Sequence, residues 1–393
     1  MSYSLENILG VLYLIMLKES LQIKNFGPLV DIELEEVKKL NIFIGDSGSG
    51  KSTIMKVLVL FQWLFKRLCL RSYLKNAGIQ ENVTEFNFKE YLEYNGILDY
   101  LKEDSEIVYK RGKYTISYRN KKLNTRIEIN KEDLSLEKMS YISDKRNIIP
   151  DFLSDTIPSD KISNFYLKET FDDFKISLKD FDKIEIPAVK VSVEKKKLKY
   201  GKSTLLVKDG QETGPYEIQL EESSSGMQNI IPMYIVIQYF AKRFDMTESA
   251  KNTIKKYMFD TDIIDKYAEN VPSFNLAEIR QKNIHIHIEE PEISLYPDGQ
   301  IMLIQDLINV CFKKNDKKNN ISLIMSTHSP YIMNYLNLVI KNKDLAFNDI
   351  AAYQVKDGYI FNLMKPNNGI VDTRSLSDPI SRIYEEYNSS EGK

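Results

Sequence analysis

Asn41-Ile42-Phe43-Ile44-Gly45-Asp46-Ser47-Gly48-Ser49-Gly50-Lys51-Ser52-Thr53 is the stretch whose reading decides the fold. Leu40, Ile42, Phe43 and Ile44 read as a short buried strand and the glycines as a turn. Ser52 to Phe65 reads as a helix with Ile54, Val57, Leu58, Phe61, Leu64 and Phe65 on a wide apolar stripe. In that order, G-x-x-x-x-G-K-S lets glycine N–H groups approach phosphate oxygens with no Cβ in the way, at the positive end of a helix. Gly45, Ser47, Gly48, Ser49, Gly50 and Thr53 are the expected cradle, with Lys51 reaching the β- and γ-phosphates and Ser52 a Mg²⁺. The fold class expected is α/β, a P-loop nucleotide-binding fold with a mixed sheet.

Upstream, Leu21, Ile23 and Phe26, then Leu29, Val30 and Ile32, read as a hairpin around Gly27-Pro28. Ile8 to Leu17 is almost uninterrupted apolar sequence, too short to span a bilayer. It reads either as a buried helix or as an extension ahead of a natural start at Met16, the fold signal beginning near Lys18. Downstream, a polar, aromatic-rich helical region is expected to end near Tyr100. A meander of Ile107 to Tyr109, Tyr114 to Tyr118 and Arg126 to Ile129 follows, then a strand from Met139 running into a loop at Tyr141 to Asn147. Val189, Val191 and Val193 alternate with polar residues and lead into the run Lys195 to Lys202. That run reads either as a solvated hairpin tip or as a phosphate contact, with Tyr200 to stack on a base.

A second constellation follows. Asn283 to Ile288 is a buried-type strand ending in Glu289-Glu290-Pro291-Glu292. Beside a phosphate-loop strand, such a strand delivers one carboxylate to the Mg²⁺ shell and a second to the attacking water; Glu289 fits the first role and Glu290 the second. His285 and His287 share one face of it and read as satisfied core histidines rather than metal ligands. Another apolar strand, Ile321 to Met325, precedes Ser326-Thr327-His328-Ser329-Pro330, which puts His328 at a strand's C-terminal end as a candidate γ-phosphate sensor. Ser224, before the apolar helix Ile230 to Phe240, reads as an N-cap. Asp349 to Leu363, turning at Asp357-Gly358, reads as a hairpin, and a closing helix is expected within 369–387.

With 393 residues, 42% hydrophobic, the chain can bury a large core, and a formal charge of -2 argues against wholesale coating of nucleic acid or anionic membrane. Cys69 and Cys311 have no metal or disulfide spacing, which points to a reducing, cytoplasmic setting.

As an ordered set these motifs resemble the ABC-class ATPase heads of the RecF/SMC type. Within that class the chain is similar to standalone bacterial ATPases related to OLD-nuclease ATPase domains and to Septu-type anti-phage ATPases. The resemblance runs from Leu21-x-Ile23-x-Asn25-Phe26 through the phosphate loop, Ser224-Ser225-Gly226-Met227-Gln228 as signature, Glu289-Glu290-Pro291-Glu292-x-x-Leu295-x-Pro297 as Walker B with D-loop, and the switch His328. It implies an antiparallel β subdomain and a helical signature lobe, and no heptad pattern supports a coiled-coil arm. The division it suggests is an N-terminal extension over 1–17, the first part of the head over 18–150, a signature lobe over 151–282 and the closing part over 283–393. Where the family often has Asp as the Walker B acid this chain has Glu289, and its first signature position is Ser223 rather than apolar.

The resemblance further implies ATP hydrolysis in a homodimer that sandwiches two nucleotides, each between one chain's phosphate loop and the other's signature. Ser224, Gly226 and Gln228 are then nucleotide contacts, as are Asn25 and Arg146, with Ser52 and Glu289 on Mg²⁺ and Glu290 and His328 catalytic. The stretch after His328 is too short for a nuclease domain, so the expected role is a switch for a separate effector, with a nuclease as the candidate, in defence. A DNA clamp is the alternative, and no membrane partner is expected.

Overall fold

The computed structural model describes residues 18–79, 86–154, 156–197, 203–209, 216–260, 276–313, 319–376 and 378–390. The Ile8 to Leu17 segment and residues 198–202 of the lysine run lie outside them. Five parallel strands form one end of an 11-stranded sheet. They are β3 (Leu40–Ile44), β7 (Ser135–Ile142), β12 (Gln281–Glu289), β13 (Asn320–Thr327) and β14 (Ile350–Lys356), in the spatial order β7-β12-β13-β3-β14. Every residue of β3 is buried, as a central parallel strand covered on both faces requires.

Six more strands extend the sheet beyond β14 in the order β15-β2-β1-β4-β5-β6, antiparallel at every step but the parallel pairing of β15 with β2. They are β1 (Glu19–Phe26), β2 (Leu29–Leu34), β4 (Leu101–Arg111), β5 (Tyr114–Arg119), β6 (Lys122–Asn124) and β15 (Tyr359–Asn362). β14 and β15 turn at Asp357-Gly358, both at positive φ, which a two-residue hairpin turn demands. The third meander strand is β6 and not Arg126 to Ile129. Asn120 and Lys121, both at positive φ, make a tight turn that starts pairing at once. The backbone of 125–129 bonds instead to a helix: Arg71 Nη2 donates to the Thr125 and Ile127 carbonyls, and the Ile129 N–H to Ser72 Oγ.

That helix, α1 (Lys51–Asn76), runs well past the expected end at Phe65 and lies across β7, β12 and β13. The other helices used below are α2 (Phe165–Ser177), α3 (Ser225–Lys242), α4 (Pro297–Ile308), α5 (Pro330–Lys341) and the closing α6 (Asp378–Ser390). A separate four-stranded sheet contains β8 (Lys183–Ile186), β9 (Val191–Lys197), β10 (Ser203–Asp209) and β11 (Glu217–Gln219). β9, which carries Lys195 to Lys197, pairs with β10, and Lys195 Nζ donates to the Leu178 carbonyl.

Candidate functional site

The phosphate loop leaves β3 at Gly45 and enters α1 at Gly50. Glycine is required at both ends for steric reasons. A Cβ on Gly45 would stand 2.2 Å from the Val355 carbonyl oxygen of β14. One on Gly50, whose φ is +104°, would stand 2.4 Å from Leu29 Cδ2. Gly48, at φ +79°, faces open space, and Ser47 is exposed beside it. Lys51 folds over the loop, its Nζ donating to the Gly45 carbonyl at 2.8 Å and the Asp46 carbonyl at 2.9 Å. Burial lowers its pKa, while Glu290, Glu292 and Asp46 oppose that shift. The Ser49 hydroxyl is buried without a partner, and Thr53 is buried in the first helical turn.

Strand register brings the acids to this loop. Phe43 of β3, Ser326 of β13 and Glu289 of β12 are partners across three adjacent strands, so the strands end together at one edge. Glu289 is buried, within hydrogen-bonding reach of Ser52, and accepts the Asp144 N–H at 3.5 Å. Burial and the nearby Asp144 raise its pKa, with Lys56 and Ser52 opposing. A serine hydroxyl facing a buried carboxylate is an all-oxygen set suited to a hard divalent cation such as Mg²⁺.

One residue on, the Glu290 N–H continues the ladder to the Ser326 carbonyl at 2.9 Å, and its backbone then turns left-handed at φ +44°. Its Oε1 lies 3.2 Å from His328 Nε2, each side chain about one-third exposed at 35% and 34%. A carboxylate and an imidazole on that rim can orient a water and a phosphoryl oxygen.

Two residues with no assigned role in the sequence reading complete this edge. Glu292 Oε1 accepts the His328 backbone N–H at 2.6 Å. Ser329 Oγ donates to Gln300 Oε1 at 2.5 Å, and Gln300 Nε2 donates to the Leu295 carbonyl at 2.8 Å, joining the switch turn to the D-loop. The acidic run itself signalled Glu292. Nothing local to Gln300 announced it.

The signature turn is built as an N-cap: Ser224 Oγ accepts the Met227 N–H at 3.4 Å at the start of α3. Gly226 rests on the D-loop, where a Cβ would meet the Ser294 carbonyl oxygen at 2.9 Å. Gln228 uses its amide to brace that turn, donating to the Glu221 and Ser223 carbonyls.

Arg146 is a correction to the sequence reading. Rather than standing open to a nucleotide, it is fully buried, and its donors go to the carbonyls of Ser143, Asn229, Glu289 and Glu290. Asn25 differs as well. Its amide donates to Asp104 at 2.9 Å, and it is Pro28 and Leu29 of the following turn that approach the phosphate loop.

His285 and His287 are hydrogen-bonded core residues. His285 meets Glu137 at 2.8 Å and Ser322 at 2.7 Å, and His287 Nε2 meets Gln62 Oε1 at 2.8 Å. Among the described residues no cluster of three His, Cys, Asp or Glu side chains is arranged for a metal, and no helix is long and apolar enough to cross a membrane.

Among curated proteins, the chain is 22% identical over 349 residues to an ATP/GTP phosphatase of Helicobacter pylori (strain ATCC 700392 / 26695), covering 84% of this chain and 90% of that one. Similar solved structures include an SMC head bound to the C-winged helix domain of ScpA (11% identity, TM-score 0.38, 90% of this chain and 99% of that one). The SMC head domain from Thermotoga maritima is another (12% identity, TM-score 0.34, 89% and 98%). A nucleotide-free ATP-binding cassette from an ABC transporter is a third (13% identity, TM-score 0.32, 87% and 90%). The AAA ATPase domain family matches residues 70–333, a span that begins after the phosphate loop and takes in the signature turn, both carboxylates and His328. Since that match covers more than half of the sequence, the chain belongs to the AAA ATPase domain family, and it is an ATPase.

Proposed function

We propose that the chain is a nucleotide-driven switch that works as a homodimer, two copies closing on two molecules of Mg-ATP, to hold or release a separate effector in anti-phage defence. The observation that carries the dimer is the seat of the signature turn. Ser224 and Gly226 offer an anion site at a helix start, yet that turn packs on its own D-loop at Ser294. A phosphate loop from a second copy would complete it. When bound, Mg²⁺ would neutralise charge developing on the transferred phosphoryl group. Ser52 and Glu289 would hold it, Lys51 would bind the β- and γ-phosphates, Glu290 would orient the water and His328 would sense the γ-phosphate.

The test is Glu290→Gln. It should lower turnover by about 10²-fold or more while keeping ATP binding, and should accumulate as a dimer on size-exclusion chromatography with Mg-ATP. Wild-type turnover would remove Glu290 from the mechanism, and a monomer under saturating Mg-ATP would sink the sandwich.

A further inference from the structure

Arg146 is the largest fully buried side chain among the described residues, and its contacts converge from three stretches of chain. Nε donates to the Asn229 carbonyl at 3.0 Å, in the second turn of the signature helix α3. Nη1 donates to the Glu289 carbonyl at 2.7 Å and to Ser143 at 3.0 Å, and Nη2 to the Glu290 carbonyl at 2.7 Å. The signature helix and the peptide units on either side of the Glu290 Cα therefore hang from one planar, rigid group.

Two features make the arrangement more than a structural brace. Glu290 sits at φ +44°, a conformation that costs a non-glycine residue about 1–2 kcal/mol and persists only where its surroundings impose it. The Arg146 bond to its carbonyl and the Ser326 carbonyl on its N–H are those constraints. On the other side, α3 contains Pro232, which has no N–H for the carbonyl four residues back at Gln228. The helical ladder is therefore interrupted in the turn that Arg146 grips.

A buried cation held by carbonyls contributes little net stability compared with an apolar side chain of the same volume, so its value lies in fixing geometry. Burial lowers the Arg146 pKa to about 10 against the opposing pull of Glu292, Asp144, Glu289 and Glu290, so it stays charged at neutral pH.

We propose that Arg146 is a positioning residue that couples the signature helix to Glu290 within one chain. Docking of Ser224 and Gly226 on a nucleotide held by a second copy is thereby felt at the first copy's own water-orienting carboxylate. This rests on the sandwich reading above. The two ATP sites of the dimer then fire together because each signature helix reports to the acid of its own chain.

The test is a double-mutant cycle between Arg146→Lys and Ser224→Ala, read as kcat, KM for ATP, and thermal midpoint. Lysine keeps the charge but has one nitrogen where the guanidinium has three. Arg146→Lys alone should lower kcat about 10- to 100-fold with KM within about threefold, the pattern of an interaction felt only in the transition state. Ser224→Ala should lower kcat in the wild-type background and have little further effect in Arg146→Lys, because the route from signature to acid is already cut. Multiplying effects would overturn the proposal, as would wild-type kcat in Arg146→Lys. Should Arg146→Lys not fold, Arg146→Gln, which leaves no buried charge, takes its place. Failure of both to fold would make Arg146 a structural residue alone and reject the coupling. If Glu290→Gln protein fails to dimerise with Mg-ATP, the sandwich itself is wrong. If it dimerises and the cycle is multiplicative, only the coupling fails.

Discussion

Glu292→Ala should damage activity far more than stability. Glu292 is 9% exposed; its Oε1 accepts the His328 backbone N–H at 2.6 Å, and its Oε2 is buried without a partner. A hydrogen bond to a charged group contributes about 1.5–3 kcal/mol, and a stranded buried carboxylate oxygen costs a comparable amount. Removing the side chain loses the first and relieves the second, so folding should change by about 1 kcal/mol or less. The site has no such compensation. The same 1.5–3 kcal/mol, lost from holding His328 3.2 Å from Glu290, corresponds at 1.36 kcal/mol per decade to a fall in kcat of about 10- to 150-fold. Glu292→Gln retains a carbonyl oxygen for the His328 N–H but loses the charge facing Lys51 and Arg146, so it separates latch from electrostatics; a fall of about 2- to 10-fold is expected. Phosphate release at saturating Mg-ATP and thermal unfolding on the same preparations measure both quantities. A kcat for Glu292→Ala within twofold of wild type would refute the latch, and a fall in kcat that merely tracks loss of folded protein would refute the separation of roles.

Gly226→Ala places a methyl 2.9 Å from the Ser294 carbonyl oxygen, and backbone must move to admit it, at a cost of about 1–3 kcal/mol. The variant should unfold at lower temperature and lose ATP-dependent dimerisation while its own phosphate loop still binds nucleotide; an unchanged midpoint with an intact dimer would show that the turn absorbs the methyl freely. A pH effect comes from His287, whose pKa burial, and then the neighbouring His285, depress well below the ordinary histidine value. A histidine kept neutral in the fold contributes stability that is present above its unfolded pKa near 6.5 and is lost as the pH falls below it, at up to about 1.4 kcal/mol per pH unit. His287→Gln should flatten denaturant-derived stability between about pH 6.5 and 5, and an equally steep curve in the variant would clear His287.

Local chemistry made the phosphate loop, the acid pair and His328 legible in the sequence, because each motif carries its own strand, turn and helix signals within about fifteen residues. What was not legible depends on pairing between distant segments. β14 lies next to β3, so Val355 is what makes Gly45 obligatory, and nothing near Gly45 announces a strand some three hundred residues later. The third meander strand was misplaced because Arg126 to Ile129 has strand-like composition, while its backbone bonds were taken by Arg71 and Ser72 of α1. Arg146 was singled out near the site, but an arginine's burial cannot be read from its neighbours in sequence. The same residue type serves a phosphate or four carbonyls depending on what packs over it.

The polar interior of the sheet explains how Glu289 comes to face the loop. Along β12 the residues alternate: Asn283, His285, His287 and Glu289 fall on one face and Ile284, Ile286 and Ile288 on the other. The first three meet a polar cluster, with Asn283 and His285 on Glu137, His285 and His287 on Gln62 of α1, and Arg111 between Glu137 and Glu19. Burial favours a neutral Glu137, yet Arg111 and His285 hold its pKa down to about 2. Such a cluster contributes little net stability relative to an apolar core, but it penalises error heavily. A slip of β12 by one residue would turn every polar side chain into the isoleucine layer and place Ile288 opposite Ser52. A slip by two keeps the faces but exchanges the partners, putting Asn283 or His287 where His285 meets Glu137 and His285 or Glu289 where His287 meets Gln62. The register that pairs His285 with Glu137 and His287 with Gln62 is the one that sets Glu289 level with Ser326 and Phe43, so the buried histidines act on the site by helping to fix where the strand stops.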